Sequence, residues 1–83
     1  MSVESELLTH LDCIHTTELG IERIKRNLFL KTDQVVEYCL EKIKSDHAFI
    51  DRKGKNYYID VDDCIITVNA HSYTIITAHK KHK

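Results

Sequence analysis

The sequence predicts an α+β fold, with two or three N-terminal helices packed on a four-stranded antiparallel meander. Three observations carry this. Apolar residues recur at helical spacing as far as Lys44. From His47 onward the chain changes to short runs rich in Ile, Val, Thr and Tyr. The polar breaks between those runs are short enough to be hairpin connections, and sequential strands joined by hairpins form a meander. One face of that sheet takes the helices, and the other is left for water or a ligand.

Residues 2–11 read as a short helix because Val3, Leu7, Leu8 and Leu11 share one side. Thr16 or Thr17 can cap a second helix, with Glu18 placed where the helix dipole favours negative charge, and Ile21, Ile24 and Leu28 form its apolar stripe. A third helix is expected over Asp33–Lys44, capped by Thr32 or Asp33 and burying Val35, Val36, Cys39, Leu40 and Ile43. Strands follow at His47–Asp51, Asn56–Val61, Cys64–Asn69 and Ser72–His79. Their turns are Lys53-Gly54, Asp62-Asp63 and Ala70-His71. In the third strand Cys64, Ile66 and Val68 alternate with Ile65, Thr67 and Asn69, which gives one dry and one wet face.

Eighty-three residues are expected to make a single domain over 1–83 with a small core, since a chain of this size buries only about 60% of its unfolded surface. Its 42% hydrophobic and 30% charged residues suit a globule rather than a disordered tail, and the absence of Pro with only two Gly argues against a linker. No apolar run reaches membrane-spanning length and the first residues are acidic, so no membrane partner and a cytoplasmic location are expected. Cys13, Cys39 and Cys64 are odd in number and widely spaced, which writes neither a disulfide framework nor a zinc knuckle and reads as small buried hydrophobes. A net charge of −1 excludes strong overall attraction to nucleic acid but leaves room for a local patch. Basic residues gather at Arg23–Arg26, Arg52–Lys55 and Lys80–Lys83.

Three constellations can carry chemistry. On the second helix Arg23, Arg26 and Asn27 fall within about a 100° sector clear of the apolar stripe, an arrangement that can hold a phosphate; the alternative is a solvated face with a Glu22–Arg26 ion pair. Arg52, Lys53 and Lys55 place three cations around Gly54 in the first hairpin, either as a phosphate finger or as an ordinary solvated turn. In the last strand Tyr73, Thr77 and His79 share a face by the period of two, beside Thr74, so an aromatic, hydroxyls and an imidazole stand together. His15, just before the capped helix, is a second proton-transfer candidate, or else a loop histidine bonded to backbone. Cys13, His15 and His79 carry no metal-ligand spacing, so neither a metal nor a cofactor is expected.

The whole chain resembles an uncharacterised bacterial domain-of-unknown-function family. The likeness rests on Ile14-His15-Thr16-Thr17-Glu18-Leu19-Gly20, Arg23-Ile24-Lys25-Arg26-Asn27-Leu28, Arg52-Lys53-Gly54-Lys55-Asn56 and Ile75-Ile76-Thr77-Ala78-His79. More distantly, the order of parts resembles the barnase/EndoU/colicin/RelE superfamily of metal-independent ribonucleases and toxins. The matching parts are a histidine, an Arg-Ile-x-x-Arg helix, a second helix, and a meander ending in Thr-Ala. That second resemblance implies His15 and His79 as acid and base, Arg23, Arg26 and Lys55 on phosphate, and Thr74 or Thr77 facing the ligand.

Two readings result. The first is an RNA-binding protein of toxin type whose histidines promote attack of a ribose 2′-hydroxyl on the adjacent phosphate. The second is a non-catalytic interaction module, such as an inhibitor encoded by a mobile element, that holds a protein partner or antitoxin on the open sheet face or an edge strand. Sparse edge charges add the expectation of a homodimer.

Overall fold

The computed structural model describes residues 3–81, and side chains from residue 6 onward. Val3 as a stripe residue, the helical assignment of residue 2, and the tail basic residues 82–83 therefore lie outside what is described. The fold is the expected α+β arrangement: α1 (Val3–Thr9), a 3-10 turn (Leu11–Cys13), α2 (Glu18–Asn27), α3 (Val35–Ile43), then β1 (Phe49–Lys53), β2 (Asn56–Val61), β3 (Cys64–Asn69) and β4 (Ile75–Lys80). The sheet order is β1-β2-β3-β4, antiparallel throughout. Among the described residues no helix is long and apolar enough to cross a membrane.

Register decides which side chains the helices cover. Ile50, Ile59, Ile66 and Ala78 are mutual neighbours across all four strands, and Tyr57 pairs with Val68, which pairs with Ile75. These residues are buried together with Leu7 of α1, Ile14, Ile24 of α2 and its C-cap Leu28, and Val35, Cys39 and Ile43 of α3. Each fully buried Ile or Val contributes about 1.5–3 kcal/mol of transfer free energy, so this one core is what holds the helices to the sheet. The opposite face carries the rows Phe49–Asp60–Ile65–His79 and Asp51–Tyr58–Thr67–Thr77. Thr67 was expected to be wet, yet it is buried at 7% exposure because it sits on a central strand between Tyr58 and Thr77.

Several element ends differ from expectation for local reasons. Thr17 caps α2 by accepting from the Gly20 amide. The cap of α3 is Gln34, and neither Thr32 nor Asp33 fills that place. Thr32 Oγ1 accepts from the Gln34 amide before the helix begins, and Asp33 is drawn away by the Lys25 ammonium at 2.8 Å. β1 starts at Phe49 instead of His47, since the Ala48 amide closes a turn on Ser45. The first turn is Gly54-Lys55, with Gly54 at φ 61 in the first central position that a two-residue hairpin of type II′ reserves for glycine. Asp62 and Asp63 both have positive φ, as a type I′ turn requires.

β4 starts three residues later than expected. The Asn69 side chain accepts from the amides of His71 and Ser72, and Tyr73 turns left-handed at φ 58. Residues 70–73 are thus a loop, and a register shift follows between Thr67 and Val68.

Candidate functional site: a cationic groove beside an exposed phenylalanine

The C-terminal end of α2 lies beside the C-terminal half of β4. The helix stops because Leu28 must stay in the core while the chain turns back. The Leu30 amide then donates to the Lys25 carbonyl at 2.9 Å and the Phe29 amide to that of Arg26 at 3.3 Å. This is a Schellman ending, and it puts Phe29 in the C′ position at φ 56, a place ordinarily given to glycine. Leu28 on one side is buried and Leu30 on the other is half-buried, so the Phe29 ring is left 78% exposed. Lys80 holds its ammonium 5.3 Å from the centre of that ring. Across the junction the Asn27 amide donates to Thr77 Oγ1 at 3.4 Å, tying helix to strand.

Arg26, Asn27, Phe29, His79, Lys80 and Lys81 line a groove of about 590 Å³ whose walls contain no carboxylate. Lys81 is engaged by Asp60, a bond that raises the ammonium above its usual range. Arg26 and Lys80 have no ion-pair partner among the described residues, and the alternative Glu22–Arg26 pair is not formed. Two unpaired cations, an exposed aromatic face, a carboxamide and an imidazole therefore converge on one surface.

A second polar cluster sits at the other end of β4. His15 is stitched to the strand by its amide on Tyr73 O at 3.1 Å and its carbonyl on the Ile75 amide at 2.7 Å. Its Nδ1 lies 2.9 Å from the Cys13 carbonyl, which can only accept, so the proton belongs on Nδ1 and Nε2 accepts from Thr74 Oγ1 at 3.0 Å. Thr74 Oγ1 also lies 2.8 Å from Ser72 Oγ, hydroxyl to hydroxyl. Tyr73 stacks on His10 with ring centres 5.0 Å apart.

The structure thus sorts the sequence candidates into two groups. Arg26, Asn27, Thr77 and His79 come together. His15 and Thr74 pair at the opposite end, five residues from His79 along the strand, or about 16 Å at the usual rise. The expected approach of His15 to Thr77 and His79 is not made. Tyr73 does not share the sheet face with Thr77 and His79, because the left-handed loop carries it to His10. Lys55 belongs to the His15 end, where its carbonyl accepts from the Ala70 amide, and Lys53 lies on the open sheet face beside Tyr58. Arg23 is exposed on α2 outside the groove lining.

Sequence reasoning missed Phe29 and did not single out Lys80 or Lys81. The legible hint was Leu28-Phe29-Leu30, three large apolar residues of which a helix end can bury two. Among the described residues no three His, Cys, Asp or Glu side chains assemble as metal ligands. Cys39 and Cys64 are buried free thiols, and burial pushes Cys39 up to about 12, which keeps it protonated and unreactive at neutral pH.

No curated protein and no solved structure matches the chain. A protein-family model does match, over residues 8–79, and by that match the chain belongs to DUF3781, a family described as proteins of unknown function.

Proposed function

We propose that the chain binds single-stranded RNA in the groove between α2 and β4. The observation that carries this reading is the groove lining itself: Arg26 and Lys80 free of carboxylates, flanking a Phe29 ring held out in solvent. Single strands are bound by cations that track the phosphates and by aromatic faces on which bases stack, and both are present within one helix end and one strand end. Asn27 and His79 add hydrogen-bonding groups for base edges or a ribose hydroxyl. The likeness to the small ribonucleases adds cleavage as a testable extension. His79 is the one proton-transfer group in the groove, and His15 stands too far away to serve the same phosphate.

The test is fluorescence anisotropy of labelled oligoribonucleotides with EDTA present, with the products run on a denaturing gel. Wild-type protein is expected to bind, and Phe29→Ala or Arg26→Glu to bind more weakly by about fivefold or more with unchanged circular dichroism. A 2′,3′-cyclic phosphate product that disappears in His79→Ala extends the reading to catalysis. Absence of binding to any RNA, alongside specific capture of one host protein, replaces it with the interaction-module reading.

A further inference from the structure

The sheet face turned away from the helices has a second surface, which meets the groove where His79 pairs with Ile65 and Lys81 bonds Asp60. Phe49, Asp51, Lys53, Tyr58, Asp60 and Ile65 line a depression of about 350 Å³ over β1, β2 and β3. Phe49 is 64% exposed, and Ile65 and Tyr58 are half-buried beside it. An aromatic and aliphatic centre with charges around it is the anatomy of a protein interface.

The charges select the occupant. Asp60 is already neutralised by Lys81, which leaves Asp51 and Lys53, one of each sign, two residues apart on the same face of the edge strand. A phosphate backbone crossing here would meet the Asp51 carboxylate with only one cation to offset it. A second copy of the same surface, turned about a two-fold axis, brings Asp51 of each chain toward Lys53 of the other and closes Phe49 and Ile65 away from water. We propose that the open face of β1–β3 packs on itself to form a two-fold dimer, leaving the α2–β4 groove of each copy on the outside. The inference does not require RNA in that groove, but the two surfaces share the Asp60–Lys81 pair, so association is measured without RNA.

The size of the patch sets the expected strength. Three strands about 4.8 Å apart and six residues at about 3.3 Å each give roughly 300 Å² per copy, well under the ~800 Å² of a standard interface. The dimer is therefore weak and concentration-dependent.

Sedimentation equilibrium from about 10 μM to about 1 mM, where small interfaces associate, is expected to show the mass climbing from 9.7 kDa toward twice that value. Phe49→Asp, at an exposed position, should weaken association about tenfold or more without altering circular dichroism. Lys53→Asp and Asp51→Lys should each weaken self-association, and an equimolar mixture of the two should restore it, because each chain then carries the charges that the other lacks. A monomer throughout the range, a dimer indifferent to Phe49→Asp, or no restoration on mixing overturns the proposal. So does RNA that shifts the NMR signals of Phe49 and Tyr58 in a protein that remains monomeric, which would assign this face to nucleic acid.

Discussion

Phe29 is placed where its backbone and its side chain want opposite things. A left-handed conformation costs an L-residue about 1–2 kcal/mol, and the ring recovers only about 0.5–1 kcal/mol from an exposed ammonium such as that of Lys80. Phe29→Gly is therefore expected to raise stability by up to about 1 kcal/mol, read as a higher Tm. RNA affinity should fall by about 1–3 kcal/mol, the worth of one stacked base, or roughly 5- to 150-fold. A stabilised variant that binds RNA as well as wild type would remove Phe29 from the interface. The convergence of Arg26 and Asn27 was legible because helical geometry fixes their angular separation. Phe29 was not legible, since no glycine announced the left-handed turn and the Schellman bonds form between backbone groups that any sequence possesses. Tyr73 failed for the same kind of reason, its period-two placement being undone by one residue at φ 58.

The docking of α2 on β4 turns on a close approach at the helix start. A Cβ on Gly20 would come within 2.1 Å of Thr16 Oγ1, and that hydroxyl donates to the Ile75 carbonyl at 3.0 Å. Gly20→Ala must therefore push Thr16 off its bond, an overpacking cost of about 1–3 kcal/mol that the better helix propensity of alanine, worth about 1 kcal/mol, only partly offsets. The expected result is a urea midpoint lowered by the equivalent of up to about 2 kcal/mol, and non-additive recovery in Thr16→Ala/Gly20→Ala, where the clash is gone. The Thr17 cap and the start of α2 were readable from the Thr-Thr-Glu run. The cap of α3 was not, because Lys25 on another helix competes for Asp33.

A second clamp ties the end of α3 and the segment after it to the β2–β3 turn. Asp62 accepts from Lys42 at 2.8 Å and from His47 at 2.6 Å. The Lys42 hydrogen bond first, and His47 second, hold the Asp62 carboxyl below its usual range. A depressed folded pKa gives stability that is present above the ordinary carboxylate value and is lost as pH falls through the folded value. Asp62→Asn, which suits the left-handed backbone there, should accordingly lower Tm near neutral pH, and the gap from wild type should close in strong acid. A gap that is constant across pH would mean that the clamp acts through shape and not charge.

Across the whole molecule, charge pairing decides what is left for a ligand. Lys25 is spent on Asp33, Lys42 on Asp62, Arg52 on Glu6 and Lys81 on Asp60. The Lys and Arg side chains left without an ion pair among the described residues include Arg26 and Lys80, which line one groove together. Strand order and the meander were legible because short breaks admit only hairpins. The splitting of the histidines was not, since it depends on β4 running away from the point where His15 bridges Thr74.

That distribution gives a numerical expectation for RNA binding. Each phosphate neutralised on a single strand adds about −0.7 to the slope of log Kobs against log salt. Two unpaired cations predict a slope of about −1.4, and release of Lys81 from Asp60 brings it to about −2.1. Lys80→Gln should flatten the slope by about 0.7, whereas Phe29→Ala should lower affinity at every salt concentration and leave the slope alone, because stacking releases no counterion. A slope steeper than about −3 would require cations beyond the groove, with Arg23, Lys31, Lys44, Lys53 and Lys55 as the remaining candidates among the described residues. Recruiting Lys53 or Lys55 would carry the RNA to the sheet end opposite His79, where His15 stands with Thr74, so loss of the extra slope in Lys55→Gln would place the strand there.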